Sequence, residues 1–198
     1  MAPGNGATLV LPADLYGDGR VGFAWMGSQT REYSTGYRFL RLDPGRKPYL
    51  LTAIDNGMGG RFEITYSTST AMRLADQAEG RAWVGELPMA VQVVGEIREV
   101  DTVTGRETRM AIRYHDGVYD GPQREFRGFR EVTVEMGGDA SIPTSRQVIS
   151  FFQGDPEHPN AVERESQRVL AGAVLATETY EKVNDNFELR QSSAQTWE

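Results

Sequence analysis

The sequence predicts an all-β, mainly antiparallel fold of long twisted hairpins with one or two short helices. Turn residues are scattered throughout, with 22 Gly and 9 Pro in 198 residues, the punctuation of a β-rich chain. Apolar residues alternate at period two over several runs, as half-buried strands require. Between those runs lie clusters such as Asp55-Asn56-Gly57 and Asp101-Thr102-Val103-Thr104-Gly105, whose residues cap backbone amides or tolerate positive φ.

Composition sets the outer bounds. A chain of this length, 39% hydrophobic and 25% charged, is globular and long enough for a sizeable core in one or two domains. A net charge of −7 argues against nucleic acid or an anionic membrane as partner, because both need pooled cations. Lys47 and Lys182 are the only lysines, and the arginines alternate with Glu along the predicted strands, which reads as solvated strand faces. Absence of Cys excludes disulfides, thiolate metal sites and thiol nucleophiles, and leaves the compartment open. Met1 to Gly6 has no basic or apolar leader region, and no apolar run is long enough to span a bilayer. That start and the polar end at Ser192 to Glu198 are expected of a piece of a longer reading frame.

Along the chain, Asp14 and Asp18 lie four apart around Gly17, the spacing with which a calcium loop converges oxygens, and Val21, Phe23 and Trp25 then alternate as a strand. These two acids are the weak calcium candidates. Hard cations take six or more oxygens, so a metal-free turn is the expectation. Tyr37 and Phe39 against Arg38 and Leu40 predict a strand over 36–42. Residues 49–54, apolar on both faces, predict another. The Asn56, Gly57, Gly59, Gly60 turn then leads into Phe62, Ile64 and Tyr66 opposed by Arg61, Glu63 and Thr65. Ser69 to Ala78 is a short helix with Met72, Leu74 and Ala75 as its apolar members and Gly80 as its stop.

Met89, Val91, Val93 and Ile97 are read as one face of a long strand. After the 101–106 turn, Met110, Ile112 and Tyr114 return opposite Arg109, Arg113 and His115. Phe126 and Phe129 cannot share a face at period two, which predicts a bulge at Gly128, where the missing Cβ admits an extra residue. Val132, Val134 and Met136 continue that strand inward. A strand over 146–152, a helical turn over 163–170 and a strand over 172–181 complete the pattern, and the tail from Phe187 is weakly patterned.

No catalytic residue is assigned. His115, Asp116, Asp120 and Glu125 offer acids beside a histidine, as a glycosidase or a metal site would use. Asp before Gly at 116–117 and 120–121 is instead ordinary turn chemistry, with Asp capping amides and Gly taking positive φ. Arg124, Arg127 and Arg130, interleaved with Glu, read as register-setting cross-strand ion pairs. His158, in a loop with carboxylates nearby, reads as solvated. The nucleophile-elbow, phosphate-loop and dinucleotide motifs are missing, and no cofactor is expected.

The stretch Tyr114-His115-Asp116-Gly117-Val118-Tyr119-Asp120-Gly121-Pro122-Gln123-Arg124-Glu125-Phe126-Arg127-Gly128-Phe129 resembles the middle region of Tc toxin B components, SpvB-like virulence proteins and Rhs-repeat toxins. The resemblance extends to the Asn56 to Gly60 turn, to Leu87-Pro88-Met89-Ala90-Val91, and to Leu170-Ala171-Gly172 followed by Glu178-Thr179-Tyr180. The 14–25 loop resembles those of FG-GAP and VCBS propeller blades, with Tyr16 and Gly22 standing where such loops carry oxygen ligands. The resemblance implies that residues 1–45 end a propeller-like segment, and that 46–198 form a β-hairpin domain opening a curved, hollow shell. It implies a secreted, non-enzymatic structural segment of a bacterial toxin, in a shell that encloses and delivers a C-terminal toxic domain. Partners would be other parts of the same polypeptide or the Tc A and C components, without membrane insertion by this segment. The structural-motif positions under this reading are Asn56, Gly57, Gly59, Gly60, Tyr119, Asp120, Gly121, Arg124, Glu125, Phe126, Arg127, Gly128 and Phe129. The alternative is a cell-surface β-sandwich binding carbohydrate or protein through Trp25, Trp83 and Tyr119.

Overall fold

The computed structural model describes residues 9–26, 37–42, 47–138, 142–155 and 160–196. The chain forms two compact units that divide between Leu50 and Leu51, where the sequence reading puts the division at 45/46. Met1 to Gly6 and His158 lie outside the described residues.

The first unit holds a three-stranded antiparallel sheet, in the order β1 (Val10–Ala13), β2 (Gly22–Met26), β3 (Tyr37–Arg41). The 14–21 segment connects β1 to β2, and Phe23 and Trp25 pair with Leu40 and Arg38.

The second unit is one eight-stranded sheet in which each strand pairs antiparallel with its neighbours in sequence. Its strands are β4 (Ala53–Asp55), β5 (Gly60–Thr68), β6 (Gln92–Asp101), β7 (Glu107–Asp120), β8 (Glu125–Met136), β9 (Ser145–Phe152), β10 (Ala173–Val183) and β11 (Asn186–Ala194). Helix α1 (Ser69–Ala78) follows β5, and α2 (Ala161–Val169) lies between β9 and β10. The fold is all-β with open sheets, as the alternation predicts.

Because paired residues share a face, register carries the two-face pattern across the sheet. Ile64, Ile97, Met110 and Met136 stand opposite one another. The next row, on the other face, is Thr65, Glu96, Ala111, Glu135 and Arg146. One face is therefore aliphatic and the other charged. Among the described residues, only Val93, Val118 and Phe129 are buried apolar side chains.

Several expectations need correction. The 49–54 strand shrinks to Ala53–Asp55, because Tyr49 takes a left-handed φ of 63° that breaks extension, and Tyr49, Leu51 and Ile54 are exposed. Helix α1 has the predicted bounds, with Gly80 at φ 80° closing it. Its inward face differs: Leu74 is 60% exposed, whereas Ser69 and Asp76 are buried. The face read from Met89 to Ile97 is not continuous, since β6 begins at Gln92 and gains a residue at Gly95, where Thr65 pairs with Glu96 but Tyr66 with Val94. The tail from Phe187 is an edge strand. Asn184 and Asp185, at φ 48° and 67°, form the two-residue hairpin turn that joins Val183 to Asn186. Positive φ at both turn positions matches the strand twist. β11 carries no apolar alternation, since its residues apart from Phe187 are exposed.

Asp185→Val removes the residue type that tolerates this turn. It should cost about 1–2 kcal/mol and speed amide exchange in β10 and β11 while leaving β5 to β8 protected.

Candidate functional site

The polar residues singled out by sequence meet where the long β7–β8 hairpin bends. The pairing shifts by one residue there: Val118 opposes Gly128 and Tyr119 opposes Phe126, so Arg127 is the extra residue and Gly128 takes φ 103°. The insertion lets Phe126 and Phe129 meet edge-to-face at 5.3 Å, and Phe129 also packs against Tyr114 at 4.9 Å and Trp83 at 6.0 Å. Burial pushes the Tyr114 hydroxyl above its ordinary pKa.

Arg127 makes the cross-strand ion pair read for it, with Asp120 rather than an interleaved Glu, and buried rather than on a solvated face. Its side chain is 2% exposed and pairs with Asp120, at 1%. It also donates to the Gln153 carbonyl at 3.1 Å, and Gln153 Nε2 donates to the Phe129 carbonyl at 2.9 Å. The bulge thereby ties β7, β8 and the end of β9 together. Asp120 additionally accepts the Gln123 amide at 3.0 Å, so here the predicted Asp turn cap is present, followed by Arg124 at φ 54°. Glu125 opposes Asp120 in the ladder and lies 3.5 Å from Arg168 of α2. Tyr119 is half-buried and Gly121 exposed.

Asp116 is not a turn residue. It lies within β7, has φ 55° itself, and is buried. Its Oδ1 accepts the amides of Val84 and Gly85 at 2.8 and 2.6 Å, and its Oδ2 meets Arg130 Nε at 3.1 Å. This carboxylate therefore straps the 81–91 segment onto the bend. The approach leaves no room for a side chain, since a Cβ on Gly85 would overlap the Gly117 carbonyl and one on Gly117 would meet Leu87 at 2.6 Å.

A third buried carboxylate fixes α1. Asp76 Oδ2 accepts the Trp83 indole N–H and meets His115 Nδ1, each at 2.7 Å, while Arg113 reaches Oδ1 at 3.4 Å. Burial pushes the Asp76 carboxyl up, but the hydrogen bonds from His115 and Trp83, together with the nearby charges of His115 and Arg81, outweigh it and hold the carboxyl below its ordinary 3.8. His115 is thus a partner between β7 and α1, and Trp83 is turned to Asp76 and Phe129 rather than outward as the sandwich reading requires. At the other end of the strap, Ser69 and Val91 exchange hydrogen bonds, at 2.8 Å from the Ser69 amide and 2.9 Å to its hydroxyl. A groove of about 610 Å³ runs beside α1 across the charged face, where Arg81 pairs with Glu131 at 2.9 Å and Arg146 with Glu135 at 3.0 Å.

The remaining predicted positions lie apart from the bend. Asn56 Oδ1 accepts the Met58 and Gly60 amides at 2.8 and 2.9 Å, with Gly57 and Gly59 at φ 69° and 98°. The Gly59 carbonyl accepts the Thr102 amide at 2.7 Å, joining this turn to the β6–β7 turn at the opposite end of β7. In the first unit, Asp14 accepts the amides of Asp18 and Gly19 at 3.1 and 2.7 Å. Asp18 is taken by Arg20 at 2.7 Å and by Arg41, and the Arg20 hydrogen bond foremost holds its carboxyl low. Those guanidinium groups meet the carboxylate a calcium ion would need. Gly22 cannot carry the missing ligand, because a Cβ there would overlap the Leu40 carbonyl and the Phe39 ring.

Residues 4–152 match the family model described as the insecticide toxin TcdB middle/N-terminal region. The chain belongs to this family. Its fold is also that of a segment in three solved structures. A structure of the Photorhabdus luminescens Tc holotoxin pore aligns at TM-score 0.70 and 19% identity. The crystal structures of TcdB2-TccC3 and of TcdB2-TccC3-Cdc42 align at 0.67 and 0.66, each at 20% identity. Each alignment covers 89% of this chain and 10% of the other chain. No curated protein matches the chain. In this TcdB middle region, the Tyr114 to Phe129 segment that carries the resemblance is the bent hairpin itself.

Two predictions follow from the geometry. Arg127→Met or Asp120→Leu alone should cost about 3–5 kcal/mol, because each strands a buried charge. The double variant should cost clearly less than their sum, read from urea melts in a double-mutant cycle. For Asp76 the lowered folded-state pKa means that its contribution is present above the unfolded value and lost as pH falls through the folded one. The Trp83 environment should therefore persist at pH 4 and be released only in stronger acid, and Asp76→Asn should abolish that acid transition in tryptophan fluorescence.

Proposed function

We propose that this chain is a non-enzymatic structural segment of a secreted bacterial toxin-complex protein, contributing strands to a β-shell that encloses and delivers a C-terminal toxic domain. Membership of the TcdB middle-region family supports the toxin-complex assignment. The observation that carries the structural role is the single-layered meander, whose neighbours in sequence are neighbours in space and whose buried apolar side chains among the described residues are Val93, Val118 and Phe129. Such a sheet serves as wall rather than as a self-contained domain: its long edge strand β11 has open backbone groups, which other sheets pair or cover. The other edge is blunted, since β4 has three residues.

The absence of an enzymatic role is inferred from how the acids are used. Asp76, Asp116 and Asp120 each spend their oxygens on backbone amides, an indole or cationic side chains, which leaves the His115 neighbourhood organised for holding elements together. The segment before Leu50 is proposed to end a propeller-like region, and the partners to be the rest of the same polypeptide and the other toxin components.

The test uses the complete toxin-complex polypeptide with its C-terminal domain. Limited proteolysis should leave that domain protected in the parent and cleaved when Arg127→Met and Asp116→Ala are combined. Equal protection in both, in a variant confirmed to have lost the bend, would refute the shell role. The isolated chain should associate or melt at low temperature; a monomer by sedimentation with a cooperative, high-temperature melt would count against it.

A further inference from the structure

Among the described residues, Asn56 is the one asparagine that precedes a glycine; Asn5, before Gly6, lies outside them. The turn around Asn56 converges on its side-chain carbonyl. Asn56 Oδ1 accepts the amides of Met58 and Gly60 at 2.8 and 2.9 Å, and the Gly57 amide donates to Asp55 Oδ1 at 2.7 Å. Asp55, Asn56 and Gly57 are all exposed. A Cβ on Gly57 would meet nothing within 4 Å, so water has open access to the backbone there.

Each of these contacts taken alone is turn capping. Together they surround one reacting carbon, Asn56 Cγ, with the parts of an acyl-transfer site. The nucleophile is the Gly57 nitrogen, tethered to that carbon through the Asn56 backbone, so attack closes a succinimide ring without bringing two molecules together. Glycine leaves the nitrogen unshielded, since it has no Cβ. An amide nitrogen attacks poorly while it keeps its proton, and a base must lie within about 2.6–3.2 Å to take it. The Asp55 carboxylate does. Negative charge then gathers on Oδ1, where two backbone N–H groups already point, within the distances an oxyanion hole uses.

We propose that Asn56 is a self-modification site, at which the chain deamidates its own side chain with Asp55 as general base and the Met58 and Gly60 amides as oxyanion donors. The bond from Gly57 N to Asn56 Cγ forms as the amide proton passes to Asp55. The bond from Cγ to Nδ2 breaks as Asp55 returns that proton, and ammonia leaves. One water then opens the ring. Opening at Cγ gives aspartate at position 56; opening at the Asn56 backbone carbonyl gives isoaspartate. Aspartate keeps an oxygen facing the Met58 and Gly60 amides. Isoaspartate routes the main chain through the former side-chain carbon and adds a methylene, which undoes the cap and loosens the contact of the Gly59 carbonyl with the Thr102 amide. The reaction turns over once and does not rest on the shell reading.

The test incubates the freshly purified complete toxin-complex polypeptide at neutral pH in water carrying a heavy oxygen isotope, beside a synthetic peptide of residues 47–61. Fragmentation mass spectrometry reads label at position 56, and isoaspartyl methyltransferase reads isoaspartate. The folded polypeptide should take up label about tenfold faster than the peptide, in which the base and the oxyanion donors are not organised. Asp55→Asn still accepts the Gly57 hydrogen bond but is no base, and should slow labelling at position 56 about tenfold, with the limited-proteolysis pattern of the parent retained. Labelling of the folded polypeptide no faster than that of the peptide would overturn the proposal, and this comparison needs no variant to fold. An unchanged rate in Asp55→Asn with the parent's proteolysis pattern would overturn it too.

Discussion

A sheet one layer thick has no opposing layer against which to bury its side chains, and the rest of this structure follows from that constraint. Hydrophobic burial, worth about 25 cal/mol per Å² in ordinary domains, is scarce here, since Val93, Val118 and Phe129 are the buried apolar residues among those described. What fixes the second unit's tertiary arrangement is a set of buried carboxylates. Asp76 holds the helix, Asp116 the strap, and Asp120 with Arg127 the bulge. Each satisfies donors that would otherwise be stranded, at about 1–3 kcal/mol for every unmet buried group. Such groups contribute less by net attraction than by what their loss would cost, so they specify one arrangement strongly.

The bend is where these anchors accumulate, and its geometry connects to the proposed wall role. A bulge raises local twist and turns a strand. Here the inserted Arg127 is buried against Asp120 and the Gln153 carbonyl, while Gly128 takes the backbone conformation that a Cβ would oppose. The left-handed Asp116 opposite adds a second departure from regular pleating within the same hairpin. Curvature is thus written into covalent and hydrogen-bonded detail at one place on β7 and β8, which is what a curved wall asks of long strands.

The parts that could be read from sequence are those governed by local rules. The Asp55 to Gly60 and Asp101 to Arg106 turns carry their own chemistry, α1 spans Ser69 to Ala78 with Gly80 as its stop, and the clash of parity between Phe126 and Phe129 demanded an extra residue. The parts that could not be read depend on partners far along the chain. Asp116 looks like a turn residue because Gly117 follows it, yet the backbone amides it accepts are 31 and 32 residues away. Asp76 looks like a solvent-facing helix position, yet His115, 39 residues on, makes it the helix's inward face. β11 escaped because an edge strand with both faces open needs no apolar alternation, and only the Asn184-Asp185 pair signalled it. The Tyr114 to Phe129 segment identified the family through its residues in order; of its two Asp-Gly acids, Asp120 caps the turn it suggests while also pairing with Arg127, and Asp116 serves as an anchor instead.

The central claim, that buried polar anchors rather than apolar burial hold this sheet, is tested most directly by the heat capacity change of unfolding in differential scanning calorimetry. Apolar exposure raises it and polar exposure lowers it, and ordinary domains show about 12–15 cal/mol/K per residue. The account predicts a value clearly below that range for the isolated chain. A value within or above it would contradict the account, because it would require an apolar core that the buried residues do not supply.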